Sequence, residues 1–132
     1  AGHGDRLHYL GQRTLREIRA LVKHVDIHLL PTLWDNAPYA CIEAMASGRA
    51  ILTSDFGGMP ELIDHERNGL LARTDDADSF IEELGRFIAD ADMRTTLGAA
   101  VRRTVEESFT DTHLAQRTVD LWQATIDGEA VA

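Results

Sequence analysis

Hydrophobic positions along this chain follow two different periods, and the change from one to the other marks out its elements. Short apolar runs stand at Asp26-Ile27-His28-Leu29-Leu30, at Ala50-Ile51-Leu52-Thr53 and at Leu70-Leu71-Ala72. Runs this short, apolar on both faces and closed by Pro31 or by polar residues, predict strands of a parallel sheet covered on both sides. Arg6 to Leu10, ended by Gly11, predicts a further strand ahead of them. Between the strands the apolar spacing changes to three and four. Leu15, Ile18, Leu21 and Val22 share one face of a basic helix from Thr14 to His24. Asp75 to Asp78 cap a helix carrying Phe80, Ile81, Leu84, Phe87 and Ile88. Met93 to Glu107 is a second, with Leu97, Val101 and Val105 inward. Thr110 or Asp111 caps a third, with Leu114, Val119, Leu121 and Trp122. Strands alternating with helices predict an α/β fold, a Rossmann-like parallel sheet sandwiched by helices. Residues 1–132 are expected to form a single domain, with 1–5 and 128–132 disordered.

The stretch from Leu29 to Leu71 organises the rest. After the strand at Asp26 to Leu30 comes a polar loop, then a helix through Tyr39-Ala40-Cys41-Ile42-Glu43-Ala44-Met45-Ala46 that stops at Gly48. Asn36 is the expected cap, and Pro38 sits near the first turn, where a missing N–H costs nothing. Ala40, Ala44 and Ser47 are expected to form the thin side that lies on the sheet. The N–H groups of Tyr39, Ala40 and Cys41 are then left free at the carboxyl edge, where anions bind in such folds.

Two carboxylates flank that edge, Asp35 before the helix and Glu43 within it. Spacing alone leaves two readings open: a loop cap plus a solvated helix residue, or a pair of ligand-binding acids. Gly57 and Gly58 permit backbone angles closed to other residues. Pro60-Glu61-Leu62-Ile63 reads as one helical turn, with Glu61 favouring its N-terminus. Asn68-Gly69 reads as a turn. His28, inside a strand, reads as a half-buried core histidine rather than a base. Thr53, Ser54 and Asp55 end a strand, but no histidine is spaced to activate a nucleophile there. Trp34 and Tyr39 can stack on a sugar or a base, or simply pack at the sheet edge.

Composition narrows the partners. A formal charge of −9 argues against a nucleic-acid backbone. A single cysteine, Cys41, forbids an internal disulfide and suits a reducing cytoplasm. No metal-ligand spacing is present, so no metal is expected. No apolar run reaches membrane-spanning length.

The motifs in order carry a resemblance. Asp35 and Glu43 stand with seven residues between them, and Glu43 opens Glu43-Ala44-Met45-Ala46-Ser47-Gly48. Gly57-Gly58-Met59-Pro60-Glu61 and Asn68-Gly69-Leu70-Leu71 follow. From about Leu7 to Trp122 the chain resembles the C-terminal, donor-binding domain of retaining GT-B glycosyltransferases of family 4 (glycosyl transferases group 1). The resemblance implies a truncated half of that domain, a nucleotide-sugar-binding unit. Asp35 then stands where an acid binds the transferred sugar, and Glu43 where an acid receives the ribose hydroxyls. Tyr39 and Ala40 would meet the diphosphate, with Asn36 and Ala37 in the same donor loop. The backbone at Leu10 and Gly11 would face the base. Asp35 replaces the family's usual glutamate, and Asn36-Ala37-Pro38-Tyr39 replaces a glycine-aromatic-glycine loop, so the sugar pocket departs from the pattern. The family's leaving-group arginine and lysine have no counterpart here, since Lys23 is the only lysine and lies on a helix. The expectation is therefore an inactive fragment of a hexosyltransferase. It uses no cofactor beyond the nucleoside-diphosphate sugar donor, and its partner is a missing N-terminal acceptor domain of the same parent chain. The location expected is cytoplasmic, or membrane-peripheral in a longer parent. A standalone nucleotide-sugar-binding module is the alternative, and a phospho-acceptor domain using Asp35 and Asp55 a third. Two expected upstream strands are missing beside Asp26 to Leu30. Either the first strand moves in to pair there, or a homodimer covers the exposed edge.

Overall fold

A computed structural model describes Gly4 and residues 6–36 and 38–128. Three parallel strands, β1 (Ile27–Leu30), β2 (Ala50–Ser54) and β3 (Leu70–Ala72), lie in the order β1-β2-β3. The register pairs Ile27 with Ala50 and Leu52 with Leu70. Every residue of β2 is buried, which is why its sequence has no polar face to show. Helices α1 (Leu15–Leu21), α2 (Tyr39–Ala46), α3 (Met59–Leu62), α4 (Ala77–Ala89), α5 (Ala91–Ser108) and α6 (Asp111–Asp127) complete the fold. Alternation along β2 divides the core. Ile51 packs with Cys41, Ala44, Met45, Met59, Leu62 and Ile63 from α2 and α3. Ala50 and Leu52 face Leu70, Ala72 and Phe87 on the α4 side. Helix α5 serves both clusters, giving Val101 and Val105 to the first and Leu97 to the second. Its close approach requires Gly98, where a Cβ would stand 2.5 Å from the Gly48 carbonyl oxygen.

Several expectations change. Residues 6–10 form no strand: Leu7 is 78% and Tyr9 95% exposed, and β1 pairs only with β2 among the described residues. A strand is stabilised by a neighbouring strand, and among the described residues no strand pairs with this stretch. The expected move of that strand to the β1 edge therefore does not occur. Asn36 does not cap α2; the N-cap is Pro38, which has no side-chain oxygen to offer. The face that α2 buries is Cys41, Ala44 and Met45, at helical spacing, and Ala40 points outward. Gly48 does end this helix, at φ 72°.

The caps follow the sequence more closely. Thr14 and Glu17 form a reciprocal capping box on α1, and Asp76, Asp90 and Thr110 accept from the first turns of α4, α5 and α6. Neither α1 nor α6 buries a residue, so the apolar faces of both remain open. Gly128, expected to be disordered, closes α6 in the left-handed conformation. The other terminal residues expected to be disordered lie outside the described residues, apart from Gly4, as does Ala37. No helix among the described residues is long and apolar enough to cross a membrane.

Candidate functional site

Two loops meet at the carboxyl edge of the sheet and fix Asp35 between them. The Asp35 carbonyl accepts a hydrogen bond from the Gly58 N–H at 3.0 Å. Gly57, at φ 64°, leaves no room beside it, since a Cβ there would be 2.1 Å from the same oxygen. The glycine pair after β2 thus lets one backbone lie directly against another. Asp35 is half-buried, next to the first turn of α2. Burial, together with the negative charge of Asp35, raises the Cys41 thiol to about 11, so this cysteine is a buried apolar group rather than a nucleophile.

Among the described residues, the N–H groups of Tyr39 and Ala40 at the start of α2 have no hydrogen-bond acceptor, whereas that of Cys41 does. Cys41 N–H already donates to the Pro38 carbonyl at 2.9 Å, while Tyr39 and Ala40 are exposed and the cap supplies no side chain. Glu43 lies one turn further on, half-buried, on the opposite side of α2 from the core. It borders a cleft of about 220 Å³ between α1 and α2, together with Ile18, Arg19, Val22 and Lys23. Sequence reasoning placed Lys23 on a surface helix and missed both cations beside Glu43. The docking of α1 on α2 brings them together, and no spacing rule reports that. Neither stands within 4.0 Å of the Glu43 carboxylate, so the acid is not consumed by an ion pair.

Leu10 and Gly11 lie in the irregular stretch before α1, with Leu10 exposed and Gly11 at φ 64°. Asn36 is exposed in the loop. The structure therefore brings Asp35 and the α2 start together at one edge, with Glu43 on the flank facing α1.

Other candidates prove structural. His28 is half-buried, with Nε2 3.1 Å from the Val22 carbonyl and 3.0 Å from the Ser47 hydroxyl, which itself donates to Ala44. It ties the end of α1 to β1 and α2, as its place in a strand suggests. Asp55 receives the N–H and hydroxyl of Thr74, at 2.8 and 2.9 Å, and is spent bracing the loop after β3. Asn68 holds Asp64, Leu62 and Thr104 through its amide. A Cβ on the neighbouring Gly69 would meet Ile51 and Ile63 at 2.8 and 2.9 Å.

Two stability results follow from these contacts. Burial lowers the His28 pKa from 6.5, so the unfolded chain binds a proton more readily than the folded one. This stability is complete above the unfolded value, begins to be lost below it, and is gone once pH has fallen through the lower folded value. Urea midpoints are expected to drop between pH ~7.5 and ~5.5, and His28→Gln should flatten that drop. An unchanged slope in the variant removes the assignment. The Ser54 hydroxyl, fully buried at the end of β2, has no hydrogen-bond partner among the described residues. Ser54→Ala is therefore expected to leave thermal stability equal or raise it by about 1 kcal/mol, and a clear loss on calorimetric melting contradicts this.

Three parallel strands covered by helices, with Asp35 and the start of α2 at the carboxyl edge, define an α/β unit of the Rossmann-like kind. The family model for glycosyl transferases group 1 matches residues 1–90, and the chain belongs to that family. It is 31% identical over 120 residues to N,N'-diacetylbacillosaminyl-diphospho-undecaprenol alpha-1,3-N-acetylgalactosaminyltransferase of Campylobacter jejuni, a match covering 91% of this chain and 31% of that protein. It is 30% identical over 117 residues to the UDP-Gal:alpha-D-GlcNAc-diphosphoundecaprenol alpha-1,3-galactosyltransferase of Escherichia coli, covering 89% and 30%. Among solved structures, sucrose-phosphate synthase from Thermosynechococcus elongatus matches with a TM-score of 0.85 and 25% identity, over 96% of this chain and 32% of that one. HepE of Anabaena shares the fold, with a TM-score of 0.85 at 20% identity over 92% and 33%. The chain thus spans about a third of the length of these relatives. The fold is that of a partial GT-B glycosyltransferase domain, an α/β unit as the resemblance implied.

Proposed function

We propose that this chain is the donor-binding part of a retaining glycosyltransferase that moves a hexose from a nucleoside-diphosphate sugar to an acceptor hydroxyl. One observation carries the reading: Asp35 lies before and Glu43 within a helix whose start has no side-chain cap, and neither carboxylate forms an ion pair among the described residues. A carboxylate accepts two hydroxyl donors well, and charge-assisted bonds are the stronger kind. Asp35 then holds hydroxyls of the transferred sugar and Glu43 those of the ribose. The amides of Tyr39 and Ala40 meet the diphosphate, with Leu10 and Gly11 towards the base. The donor is a substrate, and the reading asks for no further cofactor. HepE, alike in fold, holds UDP in one structure and UDP-glucose in another, which supports the donor class.

Titration calorimetry with UDP and UDP-glucose tests the reading. Micromolar to millimolar binding is expected, and no heat at either ligand overturns it. The chain alone is expected to transfer no sugar, and UDP release well above a buffer blank with UDP-glucose and an acceptor panel would contradict that. The open edge of β1, with Leu29 44% exposed, further suits pairing with a second copy. Light scattering is expected to give about twice the 14.6 kDa chain mass. A monomer mass at micromolar concentration rules the pairing out.

A further inference from the structure

Trp34 and Phe56 stand one residue outside the two points where the carboxyl-edge loops lock together. Asp35 follows Trp34, and Gly57, which lies against the Asp35 carbonyl, follows Phe56. The ring centroids are 5.7 Å apart and the planes tilted by 53°, so the pair forms an open corner rather than a closed stack. Trp34 is 72% and Phe56 45% exposed. Neither belongs to a core cluster, so folding gains little from an indole at this place. The loop bearing the indole is not free to move away, because Asp35 is pinned to Gly58 at 3.0 Å.

Exposed apolar surface beside a carboxylate has a specific chemical complement. A pyranose presents one face of C–H groups and a rim of hydroxyl donors. The first fits an aromatic ring, and the second fits acceptors such as Asp35 and the Asn36 amide oxygen. A nucleobase fits less well, because it prefers a flat platform and the tilted pair offers none. Glu43 lies on the other flank of α2, facing α1, which is the side the donor reading gives to the nucleoside.

We propose that Trp34 and Phe56 form a pyranose platform, a subsite that seats the acceptor sugar next to the sugar held at Asp35. The assignment of donor and acceptor places rests on the donor-binding reading. The platform itself rests on the two rings. Each ring covers part of the C–H face, and the exposed Asn36 amide oxygen accepts from the hydroxyl rim. Tyr39, 82% exposed at the start of α2, lies on the diphosphate side and is not part of the corner.

Saturation-transfer NMR with methyl α-D-glucopyranoside, methyl α-D-galactopyranoside and uridine tests the platform directly. Trp34→Ala is expected to reduce the sugar signal roughly fivefold, and Phe56→Ala by a smaller factor. Trp34→Leu, which keeps apolar bulk without the ring, should lose as much as the alanine variant. Trp122→Ala removes an indole of similar exposure, 64%, on α6 and should change nothing. UDP affinity by calorimetry should be equal in wild type and Trp34→Ala. Absence of a sugar signal in the wild type, equal signals in the Trp34 variants, or a loss reproduced by Trp122→Ala each overturns the platform. A Trp34-dependent signal on uridine but not on the glycosides overturns it in favour of a base-stacking surface. Failure of UDP to bind, with the Trp34-dependent sugar signal intact, sinks the donor reading instead.

Discussion

Glu43→Ala is expected to weaken UDP binding by about 1.5–3 kcal/mol, close to ten- to hundredfold in Kd. The magnitude comes from the loss of a charged acceptor facing hydroxyl donors. The fold should not suffer. Among the described residues Glu43 makes no ion pair and packs in neither core cluster, and alanine is the better helix former. Removing the carboxylate also leaves Arg19 and Lys23 as the remaining charges of the α1–α2 cleft. That change attracts a diphosphate, so a purely electrostatic role for the cleft predicts tighter binding in the variant. The two effects have opposite signs, and calorimetry separates them. Glu43→Gln should fall between, since it keeps an acceptor and loses the charge. Affinity equal to wild type in the alanine variant would falsify the ribose assignment.

The parts of this arrangement that sequence could read are those that depend on local chemistry. β3 was legible as Leu70-Leu71-Ala72 because it is short and bounded by a turn and polar residues. The inner face of α5 was legible because Leu97, Val101 and Val105 recur at four-residue spacing, and burial follows that period. His28 read correctly because an apolar run leaves its ring little water. What failed depended on partners elsewhere in the chain. The stretch 6–10 has strand-like residues, but a strand exists only beside another. Ala40 and Cys41 are both small, so size alone did not say which of them faces the sheet. Arg19 and Lys23 reach the Glu43 cleft through helix docking. The glycine pair at 57 and 58 announced an unusual backbone, yet not that Asp35 was the group pressed against it.

Gly57→Ala should therefore damage both the fold and the candidate site. The added Cβ would be 2.1 Å from the Asp35 carbonyl oxygen, 3.2 Å from its carbonyl carbon and 3.4 Å from its nitrogen. All three are backbone atoms, so no side chain can swing aside. The residue also sits at φ 64°, which costs any non-glycine about 1–2 kcal/mol before the overlap is counted. Relieving the overlap requires the two loops to part, which lengthens the Gly58–Asp35 hydrogen bond of 3.0 Å. Strain and lost packing together should cost about 2–4 kcal/mol. In a domain of this size that is a fall in Tm of roughly 8–15 °C. Gly85 supplies the control. It lies within α4 with nothing within 4 Å of its would-be Cβ, and alanine there should raise stability by about 0.5–1 kcal/mol. Below its melting point the Gly57 variant remains folded, yet Asp35 is displaced from the start of α2. UDP-glucose affinity should then drop while UDP affinity, carried by Glu43 and the helix amides, changes little. A Gly57→Ala protein that melts like wild type, or that loses UDP and UDP-glucose equally, would show that the loop contact does not position the sugar-binding acid.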